Sequence, residues 1–212
     1  MRLVLASASP ARLATLRSAG VEPEVVVSGV DEDAALARAQ RLHARPLTAA
    51  ETALELARAK AESVAAGPAA GSSALVLGCD SVLELDGEVH GKPGDAEVAV
   101  RRWQAMRGRS GVLHTGHWLV DLRSGPDHPA GTGATSSTVV HFADLDDEEI
   151  RAYVATGEPL LVAGGFTVDG LGGPYVTGIE GDYHTVVGLG LPVLRELLAP
   201  LGVPWHHLRR PS

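Results

Sequence analysis

Short apolar runs suited to buried strands alternate along this chain with segments of helical periodicity, and this alternation restricts the possible folds. The apolar run at residues 2–6 leads into a Ser-rich turn, where Ser9 followed by Pro10 predicts a helix N-cap with proline in the first turn. The pair Asp86-Gly87 predicts a tight hairpin. Crossover helices join parallel strands and hairpins join antiparallel ones, so the chain is predicted to be α/β with a central mixed sheet flanked by helices.

The same two patterns predict the remaining elements. Thr48 and Glu51 have the spacing of a capping box and predict a helix that breaks at the linker-like residues 66–73, and Asp95 predicts a further helix cap. The other predicted strands cover residues 24–29, 74–85, 112–122 and 136–142, and the other predicted helices cover residues 146–156 and 192–198. Residues 164–190 are glycine-rich and are predicted to form loop and short strand.

Length and composition exclude several classes of protein. The 212 residues are enough for one domain spanning residues 1–212, and 45% of them are hydrophobic. The chain has 18 basic and 26 acidic residues, and its net charge of −8 argues against a general electrostatic grip on nucleic acid or anionic lipid. No apolar run approaches the roughly 18 residues of a membrane helix, and the start lacks a signal-peptide pattern. We therefore expect a cytoplasmic protein without a nucleic-acid or membrane partner.

A strand that runs through a Ser-rich turn into a helix N-terminus is a pattern typical of anion binding, because free backbone N–H groups point at the ligand. Ser7, Ser9 and Arg12 would add donors there. A Ser-x-Ser-Pro pattern is also that of a plain helix cap, so both interpretations stay open. No P-loop motif occurs in the sequence, which excludes the usual kinase and NTPase phosphate site.

Asp80 interrupts the apolar run of residues 74–85, where an ionised carboxylate is costly unless it has partners or lies at a strand end. It is interpreted as a metal ligand, a base or an edge residue. Its neighbour Cys79 is predicted to be a small core residue, and as the single cysteine it excludes an intramolecular disulfide. Lys92 is either a surface lysine or a cation held on a restricted loop before Pro93.

Taken together, these residues predict more than each does alone. Carboxylates at residues 31–33 and at Asp80 are hard oxygen ligands for a divalent cation, while Arg12, Lys60 and Lys92 would neutralise phosphate. The acidic residues 31–33 are also consistent with a solvated loop. The nine histidines show no zinc-ligand spacing. This set predicts metal-assisted attack of water on a phosphoanhydride, with Mg²⁺ or Mn²⁺ as the cofactor.

Several motifs in order resemble those of the Maf family of nucleoside triphosphate pyrophosphatases, and the resemblance runs from about residue 2 to residue 200. They are Ala6-Ser7-Ala8-Ser9-Pro10-Ala11-Arg12, Gly78-Cys79-Asp80-Ser81-Val82, Gly91-Lys92-Pro93-Gly94-Asp95-Ala96, Tyr153-Val154-Ala155-Thr156-Gly157-Glu158-Pro159, Ile179-Glu180-Gly181-Asp182-Tyr183 and Val187-Gly188-Leu189.

The resemblance implies a two-lobed fold with a cleft between the lobes, frequent dimerisation, and hydrolysis of a nucleoside triphosphate to the monophosphate and pyrophosphate. It implies that Asp80 is the catalytic proton acceptor, and that Glu32 is the acidic metal-binding position after the second strand. The phosphate-facing positions of the family fall on Ser7, Arg12, Lys60 and Lys92.

The sequence departs from many members of the family at three positions: Ala11 replaces an arginine, Ser81 a threonine and Asp169 a glutamine. Members with different base preferences differ at these positions, so we interpret all three as substrate-binding residues that bear on the choice of base. Asp169 is also consistent with a role in capping its own loop.

Because some relatives are described as inhibitors of septum formation, a nucleotide-binding regulator of cell division is the alternative function.

Overall fold

A computed structural model describes residues 1–67, 69, 73–123 and 130–209. Its strands are β1 (Leu3–Leu5), β2 (Glu24–Val25), β3 (Leu75–Leu85), β4 (Glu88–His90), β5 (Ser110–Asp121), β6 (Ala130–Phe142) and β7 (Val176–Glu180). Its α-helices are α1 (Pro10–Ser18), α2 (Glu32–His43), α3 (Ala49–Ala66), α4 (Ala96–Met106), α5 (Asp147–Ala155), α6 (Tyr183–Val187) and α7 (Leu191–Leu198).

The seven strands form one mixed sheet within the described chain, in the order β2-β1-β3-β5-β6-β7, and β4 pairs with β3 outside that path. β1 is parallel to β2 and to β3, because helices connect these strands, whereas the other pairs are antiparallel. Asp86 and Gly87 have φ angles of 54° and 80°, as a two-residue hairpin turn requires. The predicted mixed α/β fold is confirmed.

The predicted helix starts are present in the structure. The Ser9 side chain accepts a hydrogen bond from the amide of Arg12, and Thr48 and Glu51 form a complete capping box. Asp95 caps α4 by accepting hydrogen bonds from two backbone amides. Local hydrogen-bonding chemistry therefore fixes where these helices begin.

The acidic cluster after β2 forms the start of a helix, which corrects its interpretation as a loop. Asp31 caps α2 by accepting a 2.9 Å hydrogen bond from Ala34 N, and Glu32 is the first helical residue. Only Ala39 is buried in this helix, so apolar periodicity gave no signal for it.

Two predicted strands have the wrong length, and the predicted linker lies partly outside the residues that the structure describes. β2 covers only two residues of the predicted strand 24–29. β6 begins six residues before the predicted start, because β5 supplies hydrogen bonds to its small residues, which have low strand propensity of their own. The predicted linker 66–73 lies partly outside the described residues.

Two groups of buried apolar side chains pack near opposite ends of the long strands β3 and β5. One includes Leu5, Leu77, Leu119 and Leu194. The other surrounds Trp103 and includes Leu83, Phe142 and Ile150. The middle of β3, which carries Asp80, lies between them. Among the helices of the described residues, none has the length and apolarity needed to cross a bilayer.

Candidate active site

β3 changes its neighbour along one edge. Its first part, Leu75–Leu77, pairs with β1, and its last part, Leu83–Leu85, pairs with β4. Among the described strands, none pairs with this edge between those two parts. Since β5 pairs with the other edge throughout, Asp80 is held firmly in the sheet beside an edge that no described strand covers, which we call the open edge.

Asp80 forms an ion pair with Lys60, which extends from α3. The same ammonium nitrogen lies 2.7 Å from Glu32 Oε1 at the start of α2. The side chains of Asp80 and Lys60 are only 13% and 14% exposed, whereas Glu32 is half exposed. The cation explains why the charge of Asp80 is tolerated inside an apolar strand, and it joins two residues that are 48 positions apart.

Glycines in the sheet determine how closely α3 approaches Asp80. A Cβ atom added at Gly116, opposite Asp80 on β5, would lie 2.3 Å from the carbonyl oxygen of Ala53. A Cβ at Gly78 would lie 2.1 Å from the carbonyl oxygen of Ala57. Only glycine permits this packing, which brings Lys60 onto the sheet next to Asp80.

Arg12 lies at the open edge and connects three parts of the chain. Its Nη1 donates to Ser7 Oγ at 3.0 Å and to the carbonyl of Cys79 at 2.7 Å, and its Nη2 donates to Ser81 Oγ at 3.1 Å. Its Nε donates to the carbonyl of Gly188 at 2.8 Å. Four of the five guanidinium N–H groups therefore bind protein atoms, and the fifth has no partner among the residues that the structure describes, so it is available for a ligand.

The Ser-rich turn combines a helix cap with donors, so the two interpretations of the sequence are compatible. Ser7 Oγ accepts hydrogen bonds from Arg12 Nη1 and from the amide of Ser9, which leaves its own proton free to be donated. Ser9 Oγ accepts from the amide of Arg12 as the N-cap of α1.

The proton of Ser81 is already committed. Thr115 Oγ1 lies 2.8 Å from the carbonyl oxygen of Thr185, which can only accept, so the Thr115 proton points there. The hydrogen bond between Ser81 and Thr115, at 2.8 Å, must then be donated by Ser81. Ser81 therefore orients Arg12 as an acceptor and has no proton to offer a substrate.

The structure does not bring every predicted residue into this cluster. Lys92 is exposed on the loop between β4 and α4, and within the described chain it makes no hydrogen bond or ion pair. The strand before this loop ends at His90, opposite Leu83, so Lys92 follows the end of the open edge.

Ala11 and Asp169 lie together at a different place. Both line a hollow of about 280 Å³ between α1 and α6, together with Tyr183 and His184. Asp169 is exposed, and its carboxylate accepts no hydrogen bond from the residues that the structure describes.

Glu158 holds the loop of Asp169, a role that the residue pattern of the sequence does not predict. Its Oε1 accepts hydrogen bonds from Tyr153 Oη at 2.9 Å, Thr167 Oγ1 at 2.5 Å and the amide of Gly172 at 3.0 Å. Its Oε2 accepts from the amide of Leu171 at 3.0 Å. The available signal was its place within one of the recognised motifs.

Cys79 behaves as predicted. It is fully buried, and burial raises the pKa of its thiol to about 12. The thiol therefore stays protonated at neutral pH and does not act as a nucleophile.

Glu32 and Asp80 converge on one cation, the Lys60 ammonium, and so fit part of the requirement for a divalent metal. In the described residues, no group of three or more His, Cys, Asp or Glu side chains could hold a metal ion. Mg²⁺ is commonly held by one or two carboxylates together with substrate phosphates and water. The two carboxylates fit such a shared site.

A model of the Maf-like protein family matches residues 2–201 of the chain. A protein of Salinispora tropica named nucleoside triphosphate pyrophosphatase is 58% identical over 206 residues, which are 96% of this chain and 85% of that protein. A protein of Streptomyces coelicolor with the same name is 56% identical over 211 residues, which are 100% of this chain and 96% of that protein. In Nocardia farcinica, a third protein of that name is 53% identical over 214 residues, covering 98% of each chain.

Proposed function

Because this chain belongs to the Maf family, we propose that it hydrolyses nucleoside triphosphates to nucleoside monophosphate and pyrophosphate, with Asp80 as the proton acceptor. The observation that carries the proposal is the placement of Asp80, an acid inside an apolar strand, at the open edge of the sheet. Lys60 forms an ion pair with it there, and Arg12 binds the carbonyl of the preceding residue. This arrangement combines a base with cations that neutralise a polyphosphate.

In the proposed reaction, a water oxygen attacks the α-phosphorus, and the bond from that phosphorus to the α–β bridging oxygen breaks. Asp80 takes the proton of the water, and pyrophosphate leaves with the bridging oxygen. The Ser7 proton and the remaining Arg12 N–H are donors for phosphate oxygens, and Lys60 and Lys92 add positive charge. We therefore propose Asp80, Lys60 and Lys92 as the catalytic set.

We further propose that Glu32 and Asp80 hold a divalent cation, Mg²⁺ or Mn²⁺, when substrate is bound. The cation would neutralise phosphate charge that Lys60 and Arg12 alone leave uncompensated. Lys60, which binds both carboxylates, would then turn toward the phosphates.

The hollow beside α1 supports a role for Asp169 and Ala11 in the choice of base. Among the described residues, none donates a hydrogen bond to the carboxylate of Asp169, and Glu158 accepts the hydrogen bonds that hold the loop, which weakens the alternative that Asp169 is only a loop cap. An ionised carboxylate accepts hydrogen bonds and favours bases with an N–H edge, namely uracil, thymine and guanine. Ser81, which has no free proton, is proposed to act through Arg12.

Pyrophosphate release measured over a panel of ordinary and modified ribo- and deoxyribonucleoside triphosphates, with Mg²⁺ or Mn²⁺, tests the proposed function directly. We expect turnover on some members of the panel. Absence of release from every nucleotide would contradict the proposal and favour the alternative, a nucleotide-binding regulator of septum formation. The expected homodimer and cytoplasmic location stay predictions, and light scattering in solution tests the first.

A further inference from the structure

One buried histidine lies directly behind Arg12 and is not part of the proposed catalytic set. His117, on β5 opposite Cys79, has no exposed surface. Its Nε2 accepts a 2.8 Å hydrogen bond from the amide of Gly190. Two residues earlier in the same turn, the carbonyl of Gly188 accepts the hydrogen bond from Arg12 Nε. The turn between α6 and α7 thus links His117 to Arg12.

The hydrogen bond defines the state of the imidazole. Because the Gly190 amide is a donor, Nε2 must be without a proton, and the neutral ring carries its proton on Nδ1. A cationic ring would direct an N–H group at the amide N–H. Burial, followed by the positive charge of Arg12, lowers the pKa of His117 to about 4, whereas the backbone groups of Ala134 and Thr115, and more weakly Asp182, oppose this shift.

The hydrogen bond from Gly190 to His117 holds the part of the turn that contacts Arg12. Gly188 has a φ angle of 113°, which other residues rarely adopt, and a Cβ atom there would lie 3.2 Å from Arg12 Nε. The amide of Gly190 is at the N-cap of α7, where no residue of the helix accepts from it. His117 supplies the acceptor that this amide would otherwise lack.

We propose that His117 is a positioning residue, whose Nε2 holds the turn at residues 188–190 and thereby orients the Arg12 guanidinium toward bound polyphosphate. The inference rests on the proposed function, because it takes Arg12 to face the phosphates. Catalytic chemistry is not assigned to the ring, because its Nε2 is bonded to the Gly190 amide and its link to Arg12 runs through the carbonyl of Gly188.

A double-mutant cycle tests this role. His117→Leu removes the acceptor, whereas the side-chain oxygen of His117→Gln reaches about the position of Nε2. We expect kcat/KM for a nucleoside triphosphate to fall about tenfold in His117→Leu, on the scale of one lost hydrogen bond at an oriented cation, and to recover largely in His117→Gln. In an Arg12→Ala background, His117→Leu should cause no further loss.

Leu119→Val is the matched control, because Leu119 is buried on the same strand and the same face of the sheet. Its effect on kcat/KM should be small and should be the same with and without Arg12. If turnover of the Arg12→Ala variants is too low to measure, binding of a non-hydrolysable triphosphate analogue provides the same comparison. Equal losses from His117→Leu in both backgrounds, or no recovery with glutamine, would overturn the proposal.

Nitrogen NMR of the wild-type protein provides a readout that does not depend on variants or on activity. The His117 ring should show a protonated Nδ1 and an unprotonated Nε2 throughout pH 5 to 8. A ring that becomes cationic in this range would overturn the role of His117 and leave the proposed function standing. Absence of turnover with every nucleotide would instead overturn the proposed function, and the role of His117 with it.

Discussion

Asp80 has three features that suit a general base for phosphoanhydride hydrolysis: a fixed position, a nearby cation and a neighbouring strand edge that no described strand covers. Its strand is paired on the β5 side at every residue from Leu75 to Glu84, so its backbone is held in place. Lys60 compensates its charge, and Arg12 lies at the opening beside it. The neighbouring Ser81 points to the opposite face of the sheet, because side chains alternate along a strand.

Replacing Asp80 by Asn keeps the size of the side chain and removes the proton acceptor. We expect turnover to fall by a factor on the order of 10² to 10⁴. Glu84→Gln is the matched control, since Glu84 lies on the same strand and face but contacts His114 instead of Lys60. Steady-state pyrophosphate release measures both variants, and near-normal turnover of Asp80→Asn would show that Asp80 is only structural.

Asp169→Asn should change the ranking of nucleotides by kcat/KM and leave the metal dependence unchanged. The reason is that an amide offers both donor and acceptor atoms where the carboxylate only accepts. Competition between pairs of nucleotides in one assay measures the ranking. An unchanged ranking together with a lower melting temperature would assign Asp169 to the loop and not to the base.

At the scale of secondary structure, the site depends on how closely α3 lies on the sheet and on how the glycine-rich loop is held. The first is set by Gly78 and Gly116, which present no side chain to the helix. The second is set by Glu158, whose carboxylate accepts four hydrogen bonds from α5 and the loop. Each feature determines where a side chain of the proposed site lies.

Gly116→Ala should displace α3, because the added methyl group would lie 2.3 Å from Ala53 O. Overpacking of this kind typically costs about 1–3 kcal/mol, and the displacement should also lower kcat by separating Lys60 from Asp80. Thermal unfolding and turnover measure the two effects. Gly29→Ala serves as the control, since a Cβ atom there meets nothing within 4 Å. Full activity with lower stability would separate the helix position from catalysis.

Glu158→Gln should destabilise the protein at neutral pH by about 1–3 kcal/mol. The reason is that a neutral side-chain amide replaces the ionised carboxylate that accepts the hydrogen bonds of the loop. Burial alone would raise the pKa of Glu158, but hydrogen bonds from Thr167, Tyr153 and backbone amides outweigh it and lower this pKa. A lowered pKa stabilises the fold above the ordinary glutamate range, and this stabilisation is lost as the pH falls through the folded-state value.

The melting temperatures of wild type and Glu158→Gln should therefore differ at neutral pH and converge on acidification. Unfolding measured between pH 7 and pH 3 checks this. A difference that does not change with pH would mean that the charge of Glu158 does not stabilise the loop.

For the whole molecule, the net charge of −8 offers no general attraction to a substrate with about four negative charges, and the proposed function therefore relies on local cations and on the proposed metal. Activity should require a divalent cation, disappear in excess EDTA and return when Mg²⁺ or Mn²⁺ is added in excess of the chelator. Glu32→Gln should raise the metal concentration needed for half-maximal rate. Full turnover in excess EDTA would contradict the proposed metal site.

The sequence alone predicted the mixed α/β fold, the caps of α1, α3 and α4, and the hairpin after β3, because these features depend on neighbouring residues. It also singled out Asp80, since a carboxylate in an apolar run is costly wherever the run folds. It missed α2, whose exposed surface leaves no apolar periodicity.

Only the tertiary structure decided how distant residues meet. Lys60 joins Glu32 to Asp80, and Arg12 donates four of its N–H groups to protein atoms. The carbonyl of Thr185 binds the Thr115 proton and so fixes the direction of the Ser81 proton. These outcomes depend on strand register and on helix approach, which place atoms to within tenths of an ångström. Such distances are set by packing between segments far apart in the chain, and no local pattern of residues encodes them.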